Sequence, residues 1–214
     1  MNAFDAITQR ISANKFDTSK KLHAEQIRQL VDYAMQAPSA YNIQHTRFIA
    51  VTEPAAKTAL KAIAYNQQKV EDAAVTFIVL ADTRGHEHMR HIGELAERAG
   101  LWDVAGTDGM VKAVDGTYGD NPARAREEAI RSASLASMNL MTAAHAMGLV
   151  TGPMIGFKPD ELQKQFNIGE RYVPAMLITV GYEAPGNWPK KPRLPANEVL
   201  VADGRPGAQH AFSG

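Results

Sequence analysis

Apolar residues recur along this chain in runs whose period switches between helix and strand, and the switches mark its elements. Phe4, Ile7 and Ile11 share one face at helical spacing, and Ile27, Leu30, Val31 and Ala34 do so again. Two amphipathic helices therefore open the chain. Pro38 ends the second, and the polar turn Ser39-Ala40-Tyr41-Asn42 leads into Arg47-Phe48-Ile49-Ala50-Val51, rich in strand formers. Pro54 stands where a first helical turn tolerates a missing N–H, and it opens a short helix from Ala55 to Ala64. The strongest strand signal follows at Val75 to Leu80, a continuous apolar run that predicts a buried strand.

Between Thr83 and Asp120 the pattern weakens. Glycines at 85, 93, 100, 106, 109, 116 and 119 interrupt weakly helical stretches, so residues 83–120 read as a mobile or lid-like insertion. A long helix from Ala123 to Met147 comes next, dominated by Ala, Ser and Met, with Gly148 as its natural stop. Its small residues permit close backbone approach, and its apolar character extends around most of its circumference. It is placed at the centre of the core or of a dimer. Pro159 opens a helix carrying Leu162 and Phe166, and Pro174 to Tyr182 reads as a strand. Prolines at 185, 189, 192, 195 and 206 keep residues 184–214 out of the core, as an extended arm crossing a neighbour's surface. The elements lack the regular alternation of a doubly wound fold, which favours an α+β class in a single domain over residues 1–214.

Composition narrows the chemistry. The 214 residues carry 23 Lys plus Arg against 23 Asp plus Glu, so no broad field attracts nucleic acid or an anionic membrane. Cysteine is absent, which excludes disulfides, thiolate metal sites and thiol redox chemistry. Any redox activity must come from a cofactor. No apolar run approaches the ~20 residues of a membrane span, and the acidic start at Asp5 is unlike a secretory signal, so a soluble cytoplasmic protein is expected. His86-Glu87-His88-Met89-Arg90-His91 lacks the two-histidine spacing of HExxH and reads as a solvated helix, so no metal is expected. Ser39 has no Gly-x-Ser-x-Gly context, which argues against a hydrolase nucleophile. His145, among apolar neighbours, reads as a core or interface histidine.

Two short clusters near opposite ends, Arg10-Ile11-Ser12-Ala13-Asn14-Lys15 and Lys190-Lys191-Pro192-Arg193, carry the donors that bind phosphate, in a chain with no glycine-rich phosphate loop. Folding must bring them together, and together they point to a bound, phosphorylated cofactor. Two further polar groups stand at element junctions, Pro38-Ser39-Ala40-Tyr41-Asn42-Ile43-Gln44 and Asn66-Gln67-Gln68-Lys69, and Gly152-Pro153-Met154-Ile155-Gly156-Phe157 lies between the second of these and the C-terminal cluster. Taken in order, the five groups resemble the FMN-dependent nitroreductase family over nearly the whole chain.

The resemblance implies a central, mostly antiparallel sheet flanked by helices, in an intertwined homodimer with FMN at two interfacial sites. NADH or NADPH reduces the flavin, and a nitroaromatic, quinone or related small acceptor reoxidises it in ping-pong order. It assigns Arg10, Ser12, Lys191 and Arg193 to the phosphate and ribityl end, Asn66 and Lys69 to the pyrimidine edge of the ring, and Asn14 to the flavin site. Pro38, Ser39, Asn42 and Gln44 fall on the loop that reaches the flavin from the partner subunit, and the N–H groups of Ile155 and Gly156 face its N5 and O4. No side chain need act as acid or base; the chemistry is the cofactor's. Lys69 supports it electrostatically, since an ammonium about 4 Å from the negative charge of a reduced flavin contributes roughly 4 kcal/mol at an effective dielectric near 20. Trp102 and Tyr118 could pack over the flavin face. Two positions depart from the family pattern: Asn14 replaces a common basic residue, and Ile155 replaces an acidic one of the enteric-type branch. Flavin-fragmenting or dehalogenating members of the superfamily, and a non-enzymatic flavin-binding protein, are the alternatives.

Overall fold

The computed structural model describes residues 2–200. Four strands, β1 (Thr46–Val51), β2 (Val75–Asp82), β3 (Val150–Met154) and β4 (Tyr172–Gly181), form one sheet in the order β1-β2-β4-β3, with every neighbour antiparallel. The α+β class expected from the element order is therefore observed. β2 lies inside the sheet and is buried along its whole length. Its two sets of alternating side chains face two different cores, which is why its sequence is apolar at all but Thr76 and Asp82.

On one face, Val75, Phe77, Val79 and Ala81 of β2 and Ile178 and Val180 of β4 pack against helices α2 (Ala24–Ala34) and α7 (Pro122–Ala146). On the other, Ile78, Leu80 and Leu177 meet α3 (Pro54–Ile63), α4 (Lys69–Asp72) and α8 (Pro159–Gln165) through Leu60, Ile63, Val70 and Leu162. The stripe Ala125, Ala129, Ala133, Ala136 and Ala144 presses α7 to the core, and small side chains let its backbone come close. Leu135 and Met138 instead remain 44% and 37% exposed. Asn121 caps the start of α7 by accepting from the Arg124 N–H, and Gly148 ends it at a φ of 77°. Pro174 enters β4 beside a register shift between Val79 and Leu80 of β2, a place where a residue without an N–H costs no ladder bond.

Several expectations change. Helix α1 (Ala3–Gln9) stops before Ile11, because Arg10 turns to extended backbone and the chain leaves the helix. Strand β3 and the single turn α4 are additional elements that sequence periodicity did not mark; both are too short to show a period. The 83–120 segment is largely helical, with α5 (Met89–Arg98) and α6 (Val104–Tyr118) packed on each other. A Cβ on Gly93 would overlap Thr107 of α6, so that glycine serves a close helix contact. Ile43, Met89, Ile92, Val114, Tyr118 and Ala125 form this segment's own core. Tyr118 lies buried there, edge-on to Tyr41 and His45, and Trp102 packs against the same cluster. In the arm, residues 188–200 are exposed with one helical turn, α9 (Ala196–Val199), and its remainder, 201–214, lies outside the described residues.

Asp82, at the end of β2, is fully buried and takes a two-pronged guanidinium contact from Arg171, with Nε at 2.8 Å and Nη2 at 2.9 Å. The Arg84 N–H donates at 3.0 Å, and His88 Nε2 lies 3.2 Å away. Burial alone would raise this carboxyl, but the Arg171 fork, the Arg84 N–H and the charge of Arg47 outweigh it and hold the pKa below the ordinary value. A carboxylate of depressed pKa stabilises the fold above its unfolded-state value near ~3.9, and that contribution is lost as pH falls through the folded-state value. Asp82→Asn should thus cost about 3 kcal/mol at neutral pH, the low end for breaking a buried pair, since Arg171 keeps some contact with water. Urea unfolding at pH 7 and again near pH 3 checks this, and the difference between variant and parent should shrink at the lower pH.

Candidate functional site

The chain leaves α1 as an extended segment whose Ile11, Ala13 and Phe16 turn inward while Ser12, Asn14 and Lys15 stay exposed. Ser12 pairs in parallel with Thr151 of β3, and the Ala13 N–H donates to the Thr151 carbonyl at 2.8 Å. The segment then crosses to the end of β4, where the Asp17 N–H donates to the Tyr182 carbonyl at 2.9 Å and Phe16 is buried. Gly152 makes the approach possible. A Cβ there would stand 2.5 Å from Thr179 Oγ1 and 2.6 Å from the Ala13 carbonyl oxygen.

This docking sets Arg10 and Ser12 beside the C-terminal arm. Arg10, Ile11, Ser12, Trp188, Pro189, Lys190, Lys191 and Arg193 line a cleft of about 60 Å³ that, among the described residues, contains four cations and no carboxylate. The predicted convergence of the two end clusters is thus present. Burial, and after it the charge of Arg193, pulls the Arg10 guanidinium below its ordinary value. Arg10 Nη1 and Arg193 Nη1 donate only to nearby backbone carbonyls, those of Ile11 and of Lys191 and Pro192. Like charges held together without an acid form a place for an anion. Lys190 is engaged differently: its Nζ donates to the carbonyls of Thr8 and Ile7 and closes the end of α1.

Lys69 opens α4 and is half-buried, and burial lowers its pKa. Its Nζ donates to Asn14 Oδ1 at 3.2 Å, and among the described residues it has no carboxylate partner. Asn14 is thereby placed as a neutral acceptor for an ammonium, where a second cation would repel it. The neighbouring turn holds Tyr65 and Asn66 in left-handed backbone, at φ values of 53° and 57°, with the Asn66 N–H on the Lys61 carbonyl. Gln67 joins that turn to the end of β3 by donating to the Gly156 carbonyl at 3.0 Å, and Ile155 stands 79% exposed at the surface. Arg10, Ser12, Asn14, Lys69, Lys191 and Arg193 thus belong to one region of the molecule, with Asn66, Ile155 and Gly156 linked to it.

Pro38, Ser39, Asn42 and Gln44 do not join it. They immediately precede β1, at the far edge of the sheet from the Ser12–Thr151 pairing. Three interstrand spacings, about 14 Å, separate β1 from β3. The loop is firmly built: Tyr41, Asn42 and Gln44 adopt positive φ, the Gln44 N–H donates to Ser39 Oγ at 2.9 Å, and Arg47 Nη1 donates to the Gln44 carbonyl at 2.7 Å. Buried Glu128 of α7 supports it by accepting from the Ala40 N–H. The loop and the cation cleft therefore stand at opposite edges of the sheet.

The geometry also names a residue that pattern reading passed over. Asn187 hydrogen-bonds mainly to backbone groups, so no chemical motif signals it. A much larger cleft, of about 650 Å³, lies between residues 83–87, 118–126 and 170–173; it is lined by Tyr118 but by none of the residues assigned to FMN contacts. Arg84 and Arg171 there are already bound to Glu87 and Asp82, and Glu87 and Glu170 set acids beside Arg126, which leaves the small cation cleft as the better anion site. Among the described residues, no three His, Asp or Glu side chains gather to hold a metal ion, and no helix is long and apolar enough to cross a membrane.

The Nitroreductase family model matches residues 7–182. The chain belongs to the nitroreductase family. YodC of Bacillus subtilis, named as an NAD(P)H nitroreductase, is 35% identical over 181 residues, which is 84% of this chain and 89% of that protein. DrgA of Synechocystis is 33% identical over 192 residues, 87% of this chain and 88% of its own. A crystal structure from Exiguobacterium sibiricum, described as a nitroreductase in complex with FMN, aligns with a TM-score of 0.88 at 28% identity, over 94% of this chain and 97% of that one. The nitroreductase-family fold is thus shared over nearly all of the described residues.

Gly152→Ala tests the docking that builds this family member's cleft. The added methyl should cost about 1–3 kcal/mol, typical of overpacking, and free residues 12–16 from β3. Hydrogen exchange at the Ala13 N–H should accelerate while that of β2 stays slow, and the thermal midpoint should fall.

Proposed function

We propose that this chain is the subunit of a homodimeric, FMN-dependent NAD(P)H oxidoreductase that reduces nitroaromatic, quinone or related small acceptors. The observation that carries the reading is the acid-free cleft in which Arg10 and Arg193 oppose each other beside Ser12 and Lys191. That donor set fits a phosphate: two guanidinium forks, an ammonium and a hydroxyl, short of anionic partners. FMN, when bound, supplies the chemistry of accepting and passing on hydride.

Each residue then has a physical task. Arg10, Lys191 and Arg193 hold the phosphate, and Ser12 serves the ribityl chain. Lys69, kept half-buried and free of carboxylates, offers a positive charge whose worth rises as the pyrimidine edge gains negative charge. Asn14 orients that ammonium through its Oδ1 without adding charge of its own. Asn66 and the Ile155–Gly156 backbone complete the polar edge, with Gln67 fixing the two segments against each other. The loop bearing Pro38, Ser39, Asn42 and Gln44 serves the cofactor of the second subunit, since its own chain's cleft lies across the sheet. Leu135 and Met138 of α7, with Phe4 and Ile7 of α1, leave apolar surface for that second subunit to cover.

Purified protein should be yellow or bind added FMN, and anaerobic NADH or NADPH should bleach it. A colourless protein that takes up no FMN, or flavin left unbleached by both nicotinamides, would sink this function. Arg10→Ala or Arg193→Ala should remove about 1.5–3 kcal/mol of charge-assisted binding, or about ten- to a hundredfold in Kd. Each variant should remain folded and lose flavin on dialysis; full retention by both would show the phosphate to lie elsewhere.

A further inference from the structure

Asn187 joins the two halves of the cation cleft with a single side chain. Its Oδ1 accepts from the Asn14 N–H at 2.8 Å and the Lys15 N–H at 2.9 Å. Its Nδ2 donates to the Lys15 carbonyl at 3.0 Å, to the Ala184 carbonyl at 3.2 Å and to Glu183 Oε1 at 3.4 Å. Asn14 and Lys15 are 173 and 172 residues away along the chain. Three residues later, Lys190 ties the arm to the end of α1 through the Ile7 and Thr8 carbonyls. Just beyond these ties the arm delivers Lys191 and Arg193 opposite Arg10 and Ser12.

Such a clasp has a reason to exist. The cleft brings like charges together with no carboxylate among its lining residues, so Coulomb repulsion pushes the arm and the N-terminal segment apart. The arm has almost no apolar anchorage to resist it: Trp188 and Leu194 are 69% and 67% exposed. Oriented hydrogen bonds must therefore set the spacing. A carboxamide suits the task, because it accepts on one side and donates on the other without adding a charge beside the site.

We propose that Asn187 is the positioning residue of this cleft, holding the arm in the register that spaces Arg10, Ser12, Lys191 and Arg193 for a phosphate-bearing ligand. The inference rests on the functional reading above, in which FMN is the ligand and its phosphate the group recognised. The hydrogen-bond partners of Asn187 lie outside the residues that line the cleft, so it acts through the segments it holds. Removing it should weaken recognition of phosphate more than recognition of the flavin ring. Riboflavin, which shares ring and ribityl chain but lacks the phosphate, separates the two.

The test measures Kd for FMN and for riboflavin by quenching of flavin fluorescence on flavin-free protein, comparing the parent with Asn187→Ala and Asn187→Asp. The aspartate keeps an acceptor for the Asn14 and Lys15 N–H groups and loses the donors to Lys15 and Ala184. In both variants the preference for FMN over riboflavin should fall about tenfold or more, as when a supporting residue that orients a ligand-binding group is removed. A preference equal to the parent's in both, or equal weakening of FMN and riboflavin, overturns the role of Asn187. Failure of both variants to fold does so too, by making Asn187 a folding residue. A parent protein that itself fails to prefer FMN refutes instead the placement of the phosphate, and with it the functional reading.

Discussion

The seating of residues 12–17 along β3 and across the end of β4 is the contact on which the site depends. Its hydrogen bonds are ordinary ones, each contributing about 0.5–1.5 kcal/mol. What makes them possible is the absence of a side chain at Gly152, which lets one backbone lie against another at a distance no other residue allows. Phe16 then buries itself beyond the sheet edge and prevents the segment from sliding. Through this one docking, a helix end, an extended segment and a proline-rich arm become the walls of a cleft.

The electrostatics follow from that geometry. In a chain of zero formal charge, some cations find acids close by: Arg171 has Asp82 and Glu87, Lys61 has Glu71, and Arg90 has Asp108. The cations that line the cleft have no such partner among the described residues. Arg10 and Lys69 are both pulled below their ordinary values, chiefly by burial, and Arg193 adds to the effect on Arg10. Fixed donors that are costly to hold in place without an anion are preorganised for one, because their reorganisation has already been met by folding.

Much of this was legible in the chain. The β2 run, the α2 face, Pro54 and the Gly148 stop each carry a local signal, and each stands where that signal puts it. Arg10, Ser12, Lys191 and Arg193 stood out as donors of a kind suited to phosphate, and they line one cleft. Less legible were features whose cause is tertiary. Ile11 extends a helical period but follows Arg10, whose backbone has already left the helix. The glycines of 83–120 look like interruptions, yet Gly93 serves helix contact and the segment builds a core of its own. Asn187 sits in an unremarkable Gly-Asn-Trp-Pro turn, and its meaning depends on partners at the other end of the chain. Nor does local pattern reveal that the Ser39 loop and the Arg10 segment occupy opposite edges of the sheet; strand order decides that.

The separation of the half-sites has a thermodynamic consequence for the proposed dimer. A cofactor that touches the Arg10 edge of one subunit and the Ser39 edge of the other bridges the two, so its binding and the association of subunits are linked. Whatever free energy the cofactor gains from the second subunit, the dimer gains equally from the cofactor. Saturation therefore depends on the protein's own concentration as well as on the ligand's, and dilution releases both together. The sheet order thus makes cofactor content a measure of assembly.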